Sequence, residues 1–373
     1  MQQATTLFLQ IVRQMPNSLI QNAIDTFGSD LQSRRLHGRH HLFVLLLGHL
    51  RGVSSLRHLV ELWDGIPGVR AALGMNPIAR STLADANRKR GHQFFRALMA
   101  QILNAAHQAA HRYPRKLKRL SYALDSTSIE LCADLFEWAR VSEDRSAIKL
   151  HTVLRTGVAL PEMIVVSDGA SHDVKVAKRM TLPSNAIISI DRAYVDAQFL
   201  ADLHDRETTF VTRLKRKMKY RVSERRSVPR SALGVTSDQE IVLTGAGAEV
   251  YGNRPLRRVR YRDPESGAVL EFLTNDLRLA ARTIALLYKE RWEVELFFKW
   301  MKQNIKVLHF WGRSKNAILT QLWVALLAYA LVAWIHLKLR SDWTRLRTWR
   351  FVQDHLLLPV GAWFWEPEAQ APK

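Results

Sequence analysis

Apolar residues recur at helical spacing through the first 112 residues, and no strand-like alternation interrupts them. One apolar stripe ends near Leu50. A second helix is expected to begin at Ser54 or Ser55, because serine is a good N-cap. The pattern predicts a separate all-α domain over residues 1–115 that contains a helix-turn-helix.

The pattern changes to short apolar strands over residues 116–214. Three strands with short links favour an antiparallel meander, and the order that follows is helix, strand, helix, strand. This order predicts an α/β unit with a mixed sheet and helical crossovers. The predicted elements are strands at Leu120–Ile129, Ile148–Arg155, Met163–Ser167, Ala186–Ile190 and Thr208–Arg213, with helices at Asp173–Met180 and Asp196–Asp205.

Residues 215–275 carry a basic run, Gly and Pro punctuation and short alternating segments, which predict a β-rich insertion. Residues 276–345 complete the sheet-containing core with two long helices, the first over Arg278–Gln303, and residues 346–373 form a tail. The apolar stretch Leu322–Ile335 has fourteen residues, whereas a membrane span needs about 20. We therefore interpret it as a buried core helix and not as a membrane segment.

The chain is strongly basic: 55 Lys and Arg oppose 34 Asp and Glu, leaving a formal charge of +21. Because 47% of the residues are hydrophobic, this charge belongs to a folded body. Such a body attracts polyanions, of which DNA is the commonest, although ribosomal RNA or an anionic membrane fits the charge as well. The single cysteine, Cys132, excludes an intrachain disulfide, and no secretory signal opens the sequence, so a cytoplasmic location is expected.

Two aspartates lie in or at the end of apolar strands, where a carboxylate is costly to bury. Asp125 follows Tyr122-Ala123-Leu124, and Asp191 closes the strand that ends at Ile190. Carboxylates of this kind hold Mg²⁺ in two-metal phosphoryl transfer, which needs three of them. The alternative is that each aspartate simply caps a turn.

A third acid is expected from the helix predicted over Arg278–Gln303. At about 100° per residue, Tyr288, Arg291, Glu295 and Lys302 fall near one face, whereas Glu290 and Glu293 point elsewhere. Arg291 and Lys302 can clamp phosphates, and Tyr288 can bind a phosphate or stack on a base. The alternative is an ordinary surface pair between Arg291 and Glu295 beside an unrelated lysine.

At these residues the sequence resembles the DDE transposases of bacterial insertion sequences, specifically the IS-four family. That family carries a Tyr-x2-Arg-x3-Glu-x6-Lys signature, which Tyr288, Arg291, Glu295 and Lys302 match at every spacing. Further resemblances to the group extend the likeness over most of the chain: Leu124-Asp125-Ser126-Thr127 around the first acid, Asp191-Arg192-Ala193-Tyr194 around the second, and the segment STLADANRKR at residues 81–90.

The resemblance implies an RNase H-like catalytic core with a β-rich insertion between the second aspartate and the glutamate. It also implies a homodimer on double-stranded DNA, bacterial and nucleoid-associated when bound, that acts on terminal inverted repeats and target DNA. Two Mg²⁺ or Mn²⁺ ions per site would serve cut-and-paste transposition through a hairpin, without a small-molecule cofactor. Some relatives hold a flipped base with a tryptophan of the insertion, but this chain has no tryptophan between Trp138 and Trp292.

The expected mechanism places both metals on Asp125, with Asp191 and Glu295 each completing one metal site. Phosphate contacts are expected from the basic runs and from residues near the second acid. The candidates for DNA contact beyond the signature are Arg88, Lys89 and Arg90 in one helical turn, Arg192 and Tyr194, and Lys215, Arg216 and Lys217, with Arg254–Arg262 as a further basic run. The charged turn at residues 88–90 is equally typical of a solvated helix face. Two alternative functions stay open: a metal-dependent nuclease without strand transfer, and an inactive DNA-binding relative that acts as a repressor.

Overall fold

The chain forms two compact units. The computed structural model describes residues 5–31, 36–113, 117–133, 136–304, 310–339 and 342–361. The first unit comprises residues 1–114, 131–138 and 300–373, and the second comprises residues 115–130 and 139–299. The units do not follow the predicted segment boundaries, because the amino-terminal helices share a unit with residues from 300 onward.

Helices and strands are numbered in chain order. The helices are α1 (Leu7–Arg13), α2 (Asn17–Phe27), α3 (Gly38–Leu50), α4 (Leu56–Asp64), α5 (Pro67–Leu73), α6 (Arg80–Lys89), α7 (His92–Ala110), α8 (Asp173–Arg179), α9 (Ala197–Asp205), α10 (Ala246–Tyr251), α11 (Ala281–Glu290), α12 (Trp292–Asn304), α13 (Lys315–Leu339) and α14 (Arg345–His355). The strands are β1 (Ser121–Leu131), β2 (Arg140–Ser142), β3 (Arg145–Arg155), β4 (Leu160–Asp168), β5 (Ile187–Ile190), β6 (Thr209–Arg213), β7 (Tyr220–Arg226), β8 (Val235–Leu243), β9 (Leu256–Arg262) and β10 (Val269–Thr274).

The first unit is helical, as predicted for the amino-terminal region. Helices α3 and α4 meet through the predicted turn, and the Ser55 hydroxyl caps α4 by accepting the His58 amide at 3.2 Å. Helix α13 is apolar around its whole circumference and packs against α3, α7 and α14. Among the described residues it is the one helix long and apolar enough to cross a membrane, and 94% of its most apolar window is buried. That burial is what the prediction of a core helix requires.

Arg90 is a structural residue of the first unit, so its prediction as a DNA contact was wrong. Its side chain is 5% exposed. The guanidinium donates to the carbonyls of Ser29 and Leu36, and it contacts His41 Nδ1 at 2.9 Å. A buried guanidinium needs such acceptors, and they use its donors inside the unit. Arg88 and Lys89 are exposed, and Arg88 pairs with Asp85.

The second unit is built on a ten-stranded sheet in the order β2-β3-β1-β5-β6-β10-β9-β8-β7, with β4 paired to β3. The predicted meander followed by alternating helices and strands is present. Strands β1, β5 and β6 run parallel, with Leu124 opposite Ile190 and Ser189 opposite Val211. Strand β4 runs antiparallel to β3. The order β4-β3-β1-β5-β6 gives the RNase H-like mixed sheet that the resemblance implied.

The predicted β-rich insertion extends this sheet instead of forming a body of its own. Strand β10 pairs antiparallel with β6, with Phe272 opposite Arg213, and β9, β8 and β7 follow outward. Between β8 and β9, Arg257 and Asp238 form a buried bidentate ion pair at 2.8 and 2.7 Å. Part of the basic run Arg254–Arg262 is therefore matched internally rather than free for DNA.

The long helix predicted over Arg278–Gln303 is divided at Arg291 into α11 and α12. The amide of Arg291 bonds to the carbonyl of Tyr288, and the amide of Val294 bonds to the carbonyl of Arg291. These bonds span three residues instead of four, so the chain tightens at this point. The signature residues Tyr288 and Arg291 thus belong to the end of α11, whereas Glu295 belongs to the first turn of α12.

Candidate active site

Asp125 and Asp191 lie side by side at the carboxyl end of β5, where Asp191 follows the last residue of that strand and Asp125 lies within the longer strand β1. Leu124 is opposite Ile190 in the β1–β5 register, so the next residues of the two strands are the two aspartates. Neighbouring strands lie about 4.8 Å apart, and residues at one register project to the same face of a parallel pair. In open sheets with helical crossovers this edge is where ligands bind.

The third predicted acid, Glu295, is linked to the first, Asp125, by the side chain of Arg291, which contacts both. Arg291 donates to Asp125 at 3.1 Å and to Glu295 at 2.6 Å, so its guanidinium bridges the two carboxylates. The other two glutamates of this region turn elsewhere, since Thr156 contacts Glu290 and the Gly157 amide donates to Glu293. The structure therefore separates the three glutamates in the way the helical spacing predicted.

Tyr288 links the second acid to the same cation. Its hydroxyl approaches Asp191 within 3.5 Å, and the Arg291 guanidinium lies 5.5 Å from its ring centre. Helix α11 holds this tyrosine over the sheet partly because Ser189 of β5 donates its hydroxyl proton to the Leu287 carbonyl. Three of the four signature side chains thus converge on the two aspartates. Lys302 is half-buried on the last turn of α12 and belongs to the first unit, whereas the other three signature residues belong to the second.

Burial dominates the electrostatics of the site. Burial, with a smaller contribution from the charges of Asp191 and Glu295, raises the pKa of Asp125 to about 6 against the opposing effects of the Ser126 amide and Arg291. Burial alone would lower the pKa of Arg291, but its bond to Glu295 and the charge of Asp125 raise it above its ordinary value. The neighbouring carboxylates repel one another, so the site is stabilised by a positively charged group.

A polar chain behind Asp125 is a feature that the sequence did not predict. The Ser126 amide donates to Asp125 at 2.8 Å, and the Ser126 hydroxyl donates to Asp173 at 2.9 Å. Lys149 in turn donates to Asp173 at 3.2 Å. Helix α8 and strand β3 therefore fix the backbone that orients the first acid, and no spacing rule relates residues this far apart.

Arg213, the last residue of β6, was also missed. Thr209, Phe210 and Val211 pair with Ile187, Ile188 and Ser189, and continuing that register places Arg213 opposite Asp191. Its charge acts on the Tyr288 hydroxyl. A signal existed in the sequence, since Arg213 closes one predicted strand and Asp191 closes the strand predicted before it.

The residues fit divalent metal ions in chemistry, although their present arrangement is not a closed ligand set. Three carboxylates supply the hard oxygen ligands that Mg²⁺ prefers, and a cation already lies between two of them. Within the described residues no three His, Cys, Asp or Glu side chains are grouped closely enough to hold one ion. Metal binding to Asp125 and Glu295 together therefore requires Arg291 to leave its bridging position.

The remaining predicted contacts differ in their exposure. Tyr194 is 1% exposed and lies in the hydrophobic core, so its prediction as a DNA contact was wrong. Arg192 is half-buried, and its Nε atom has no hydrogen-bond partner among the described residues. Lys215 donates to the Val195 carbonyl at 2.6 Å, whereas Arg216 and Lys217 are exposed. Of these five side chains, Arg216 and Lys217 are the most accessible to a ligand.

The chain is similar to several known proteins. The family model described as "Transposase DDE domain" matches residues 117–331. The chain is 26% identical to a probable transposase for insertion sequence element IS5377 from Geobacillus stearothermophilus over 90% of this chain and 86% of that protein. It is 30% identical to the putative transposase y4zB from Sinorhizobium fredii over 67% of this chain and 69% of that protein. A cryo-EM structure of the piggyBac transposase synaptic complex with hairpin DNA matches 99% of this chain and 83% of that one, with 12% identity and a TM-score of 0.46.

A mixed sheet with two adjacent aspartates at its carboxyl edge and a glutamate from a following helix defines an RNase H-like enzyme with a carboxylate active site. More particularly, the family match over residues 117–331 means that the chain belongs to the DDE transposases of the IS-four type. It is therefore an enzyme that acts on DNA, and membership of this family implies dependence on a divalent metal.

Proposed function

We propose that this transposase cuts DNA at the terminal inverted repeats of an insertion sequence and joins the freed ends to a target. Asp125, Asp191 and Glu295 hold two divalent ions, Mg²⁺ or Mn²⁺. The observation that supports this best is the joint position of Asp125 and Asp191 at one register, with Glu295 linked to Asp125 through Arg291.

Asp125 stands between the other two acids, so it is the side chain that can serve both ions, while Asp191 and Glu295 each serve one. Bound there, the metals would make an attacking oxygen more acidic and stabilise charge on the leaving 3′ oxygen. When Arg291 leaves its bridging position, its guanidinium is placed to bind a phosphate with two parallel donors. Tyr288 positions Asp191 and lines the same edge. Positioning of this kind supplies much of the rate in phosphoryl transfer.

The finer features of the reaction belong to the same proposal. The protein works as a homodimer on DNA, in the cytoplasm and on the nucleoid, by cut-and-paste through a hairpin. Arg88, Lys89, Arg192, Arg216, Lys217 and Lys302 contribute phosphate contacts. These contacts set the position of the DNA without reading its sequence.

The experiment is cleavage and strand transfer of labelled DNA carrying the element's own ends, with Mg²⁺, comparing the intact protein with Glu295→Gln. We expect Glu295→Gln to bind the DNA but to lose more than about 100-fold in cleavage, since even an outer partner of a metal ligand is worth about 10- to 100-fold. The matched control is Glu293→Gln, a change of the same kind two residues earlier, where the side chain accepts the Gly157 amide.

Three results would separate the alternatives. Cleavage and joining by the intact protein, lost in Glu295→Gln and kept in Glu293→Gln, supports the proposal. Cleavage without any joining favours the metal-dependent nuclease. Specific binding with no cleavage by any variant favours the DNA-binding relative that acts as a repressor.

A further inference from the structure

Asp125 is connected to a polar network on the opposite face of the sheet. Leu124 packs on the sheet face that α8 covers, together with Val176 and Ala177 of that helix. Because successive side chains of a strand point to opposite faces, Ser126 lies on the same face as Leu124, whereas Asp125 points to the other. The Ser126 amide donates to Asp125 Oδ1 at 2.8 Å. The backbone of β1 therefore joins the acid on one face to the groups that hold Ser126 on the other.

Asp173, the first residue of α8, holds the Ser126 side chain. The Ser126 hydroxyl donates to Asp173 Oδ1 at 2.9 Å. The Lys149 ammonium donates to the same oxygen at 3.2 Å, and Nδ1 of the fully buried His151 lies 3.8 Å from it. Lys149 also donates to the Ser171 carbonyl at 2.9 Å, so strand β3 and the turn before α8 are tied to this carboxylate. A charged acceptor held in this way restricts the Ser126 hydroxyl, and with it the peptide that follows the first acid.

The two oxygens of Asp125 consequently have different partners. Oδ1 accepts the Ser126 amide, whereas Oδ2 accepts from Arg291, which also binds Glu295. The last torsion of an aspartate side chain is broad, so an unrestrained carboxylate would rotate and exchange its oxygens. The bond from Ser126 opposes that rotation. A ligand that is already oriented loses less conformational freedom when an ion binds.

We infer that Asp173 and Ser126 are positioning residues for metal binding by Asp125. The inference rests on the proposed function, which makes Asp125 the ligand shared by both ions, and it adds two residues that act through that side chain. Outer partners of a metal ligand fix its orientation, and their loss typically weakens metal binding or activity about 10- to 100-fold. The alternative is a purely structural role, because Asp173 is also an acid in the first turn of α8 and an ion-pair partner of Lys149.

The test measures Mn²⁺ binding, by electron paramagnetic resonance, to the complex of the full chain with a pre-cleaved DNA end, on which no cleavage can follow. Ser126→Ala and Asp173→Ala should each weaken Mn²⁺ binding about 10- to 100-fold. Their combination should weaken it little more than either change alone, because the two side chains act through one hydrogen bond. Cleavage of uncut DNA should need correspondingly more Mg²⁺ in both variants, while the rate at saturating Mg²⁺ stays close to that of the intact protein.

Two kinds of variant control the test. Threonine retains the hydroxyl donor and asparagine retains an oxygen acceptor, so Ser126→Thr and Asp173→Asn should bind Mn²⁺ more tightly than the matching alanine variants. Asp196→Asn changes an acid at the start of the next α-helix, α9, where Asp196 pairs with Lys178 at 2.7 Å and accepts the Phe199 amide. This change should leave Mn²⁺ binding as it is in the intact protein. Thermal unfolding of every variant measures the stability of the second unit.

The outcomes are distinguishable. If Ser126→Ala and Asp173→Ala bind Mn²⁺ as tightly as the intact protein, the inference is overturned while the proposed function stands. If only one of them weakens binding, or if their effects add in full, the two side chains do not act through one bond and the inference is also overturned. Mn²⁺ binding that follows thermal stability across all variants, Asp196→Asn included, would make the role structural. Should Asp173→Ala fail to fold, the difference between Ser126→Ala and Ser126→Thr decides.

The proposed function fails in a different way. In that case the intact complex binds no Mn²⁺ and cleaves no DNA, whatever residue stands at positions 126 and 173.

Discussion

At the scale of single residues, the site holds the carboxylates of Asp125, Asp191 and Glu295 close together, and the Arg291 guanidinium partly neutralises their negative charge. Asp125 is about 20% exposed at its side chain, and it lies beside two further acids. Its neighbour Ser126 offers one amide donor, and Arg291 offers one guanidinium donor. These two donors do not outweigh the loss of water, so the carboxyl group holds its proton to a higher pH than an ordinary aspartate does.

The raised pKa predicts a pH-dependent effect of Asp125→Asn on stability without metal. The folded pKa of about 6 exceeds the unfolded value of about 3.9, so protonation stabilises the fold below about pH 4. That stability is lost as pH rises through 6. The asparagine side chain does not ionise, so the variant should gain up to about 3 kcal/mol relative to the intact protein between pH 4 and pH 7.

Urea unfolding in the presence of a chelator measures this difference at both pH values. The exposed Asp64→Asn change controls for removal of a carboxylate elsewhere. A difference between Asp125→Asn and the intact protein that stays constant from pH 4 to pH 7 would contradict the raised pKa.

Substitutions of Lys89 and Arg90, which are adjacent in one basic turn, should differ in their effect on stability. Arg90→Ala removes a buried guanidinium that holds the carbonyls of Ser29 and Leu36, and should cost about 3 kcal/mol of stability or more. Lys89→Ala changes an exposed charge, so it should leave the melting temperature within about 1–2 °C and weaken DNA binding only modestly. Calorimetry and a DNA titration of both variants decide whether the two side chains differ as the burial indicates.

At the scale of elements, the sheet brings the site together and the insertion strands lengthen it. Strand β10 covers the free edge of β6, the strand that ends at Arg213. Further out, Arg257 of β9 also donates to the Leu279 carbonyl just before α11, so the extension is attached to the helix that carries Tyr288 and Arg291. The outer strands therefore support the position of α11 over the carboxyl edge.

This attachment predicts a local loss of stability in Asp238→Ala. The change leaves the Arg257 guanidinium buried without its bidentate partner, which typically costs about 3–5 kcal/mol. Hydrogen exchange of β8, β9 and the start of α11 should accelerate together. Asp238→Leu combined with Arg257→Met removes both charges and should recover much of the protection in β8 and β9. Unchanged exchange in Asp238→Ala would mean that the pair does not hold these elements.

At the scale of the whole molecule, the formal charge of +21 is the dominant property for DNA binding. Part of this charge is used within the fold, as at Arg90, Arg257 and Arg291. Exposed residues such as Arg216 and Lys217 keep theirs available for phosphates. Affinity for DNA is therefore expected to fall steeply with salt, because each neutralised phosphate releases condensed counterions.

Removing two of these charges should change the salt dependence by a definite amount. In Arg216→Gln with Lys217→Gln, the slope of log affinity against log salt should become shallower by about 1.8, or about 0.9 for each phosphate that the protein no longer neutralises. Lys289→Gln is the matched control, because the Lys289 ammonium already pairs with Glu265 at 3.1 Å. Equal slopes for the double variant and the intact protein would exclude these two residues from the DNA interface.

The spacing of hydrophobic residues along the chain predicted most helices and strands of the second unit, but it missed several features. The strands around Asp125 and Asp191 and the helices α8 and α9 were predicted within a few residues, because burial on a sheet or on one helix face imposes a period on the chain. The break at Arg291, the short strand β2 and the helix α10 have no such period. The burial of Arg90 and Tyr194 was missed because a basic or aromatic side chain does not reveal its acceptors or neighbours in the sequence.

The sequence by itself determined the fold class through the periodicity of its strands and helices, and it determined the family through the resemblance of its Tyr-Arg-Glu-Lys spacing to a known signature. It also ranked Glu295 above Glu290 and Glu293. Only the tertiary structure decided that Arg291 bridges Asp125 and Glu295, that Asp173 supports Ser126, and that Arg213 lies opposite Asp191 in the register of β5 and β6. Those contacts join residues that are between 4 and 166 positions apart in the sequence. Except for the Arg291–Glu295 pair, the distances between them are set by strand register and by the packing of helices on the sheet. Hydrophobic spacing in the chain does not encode such contacts.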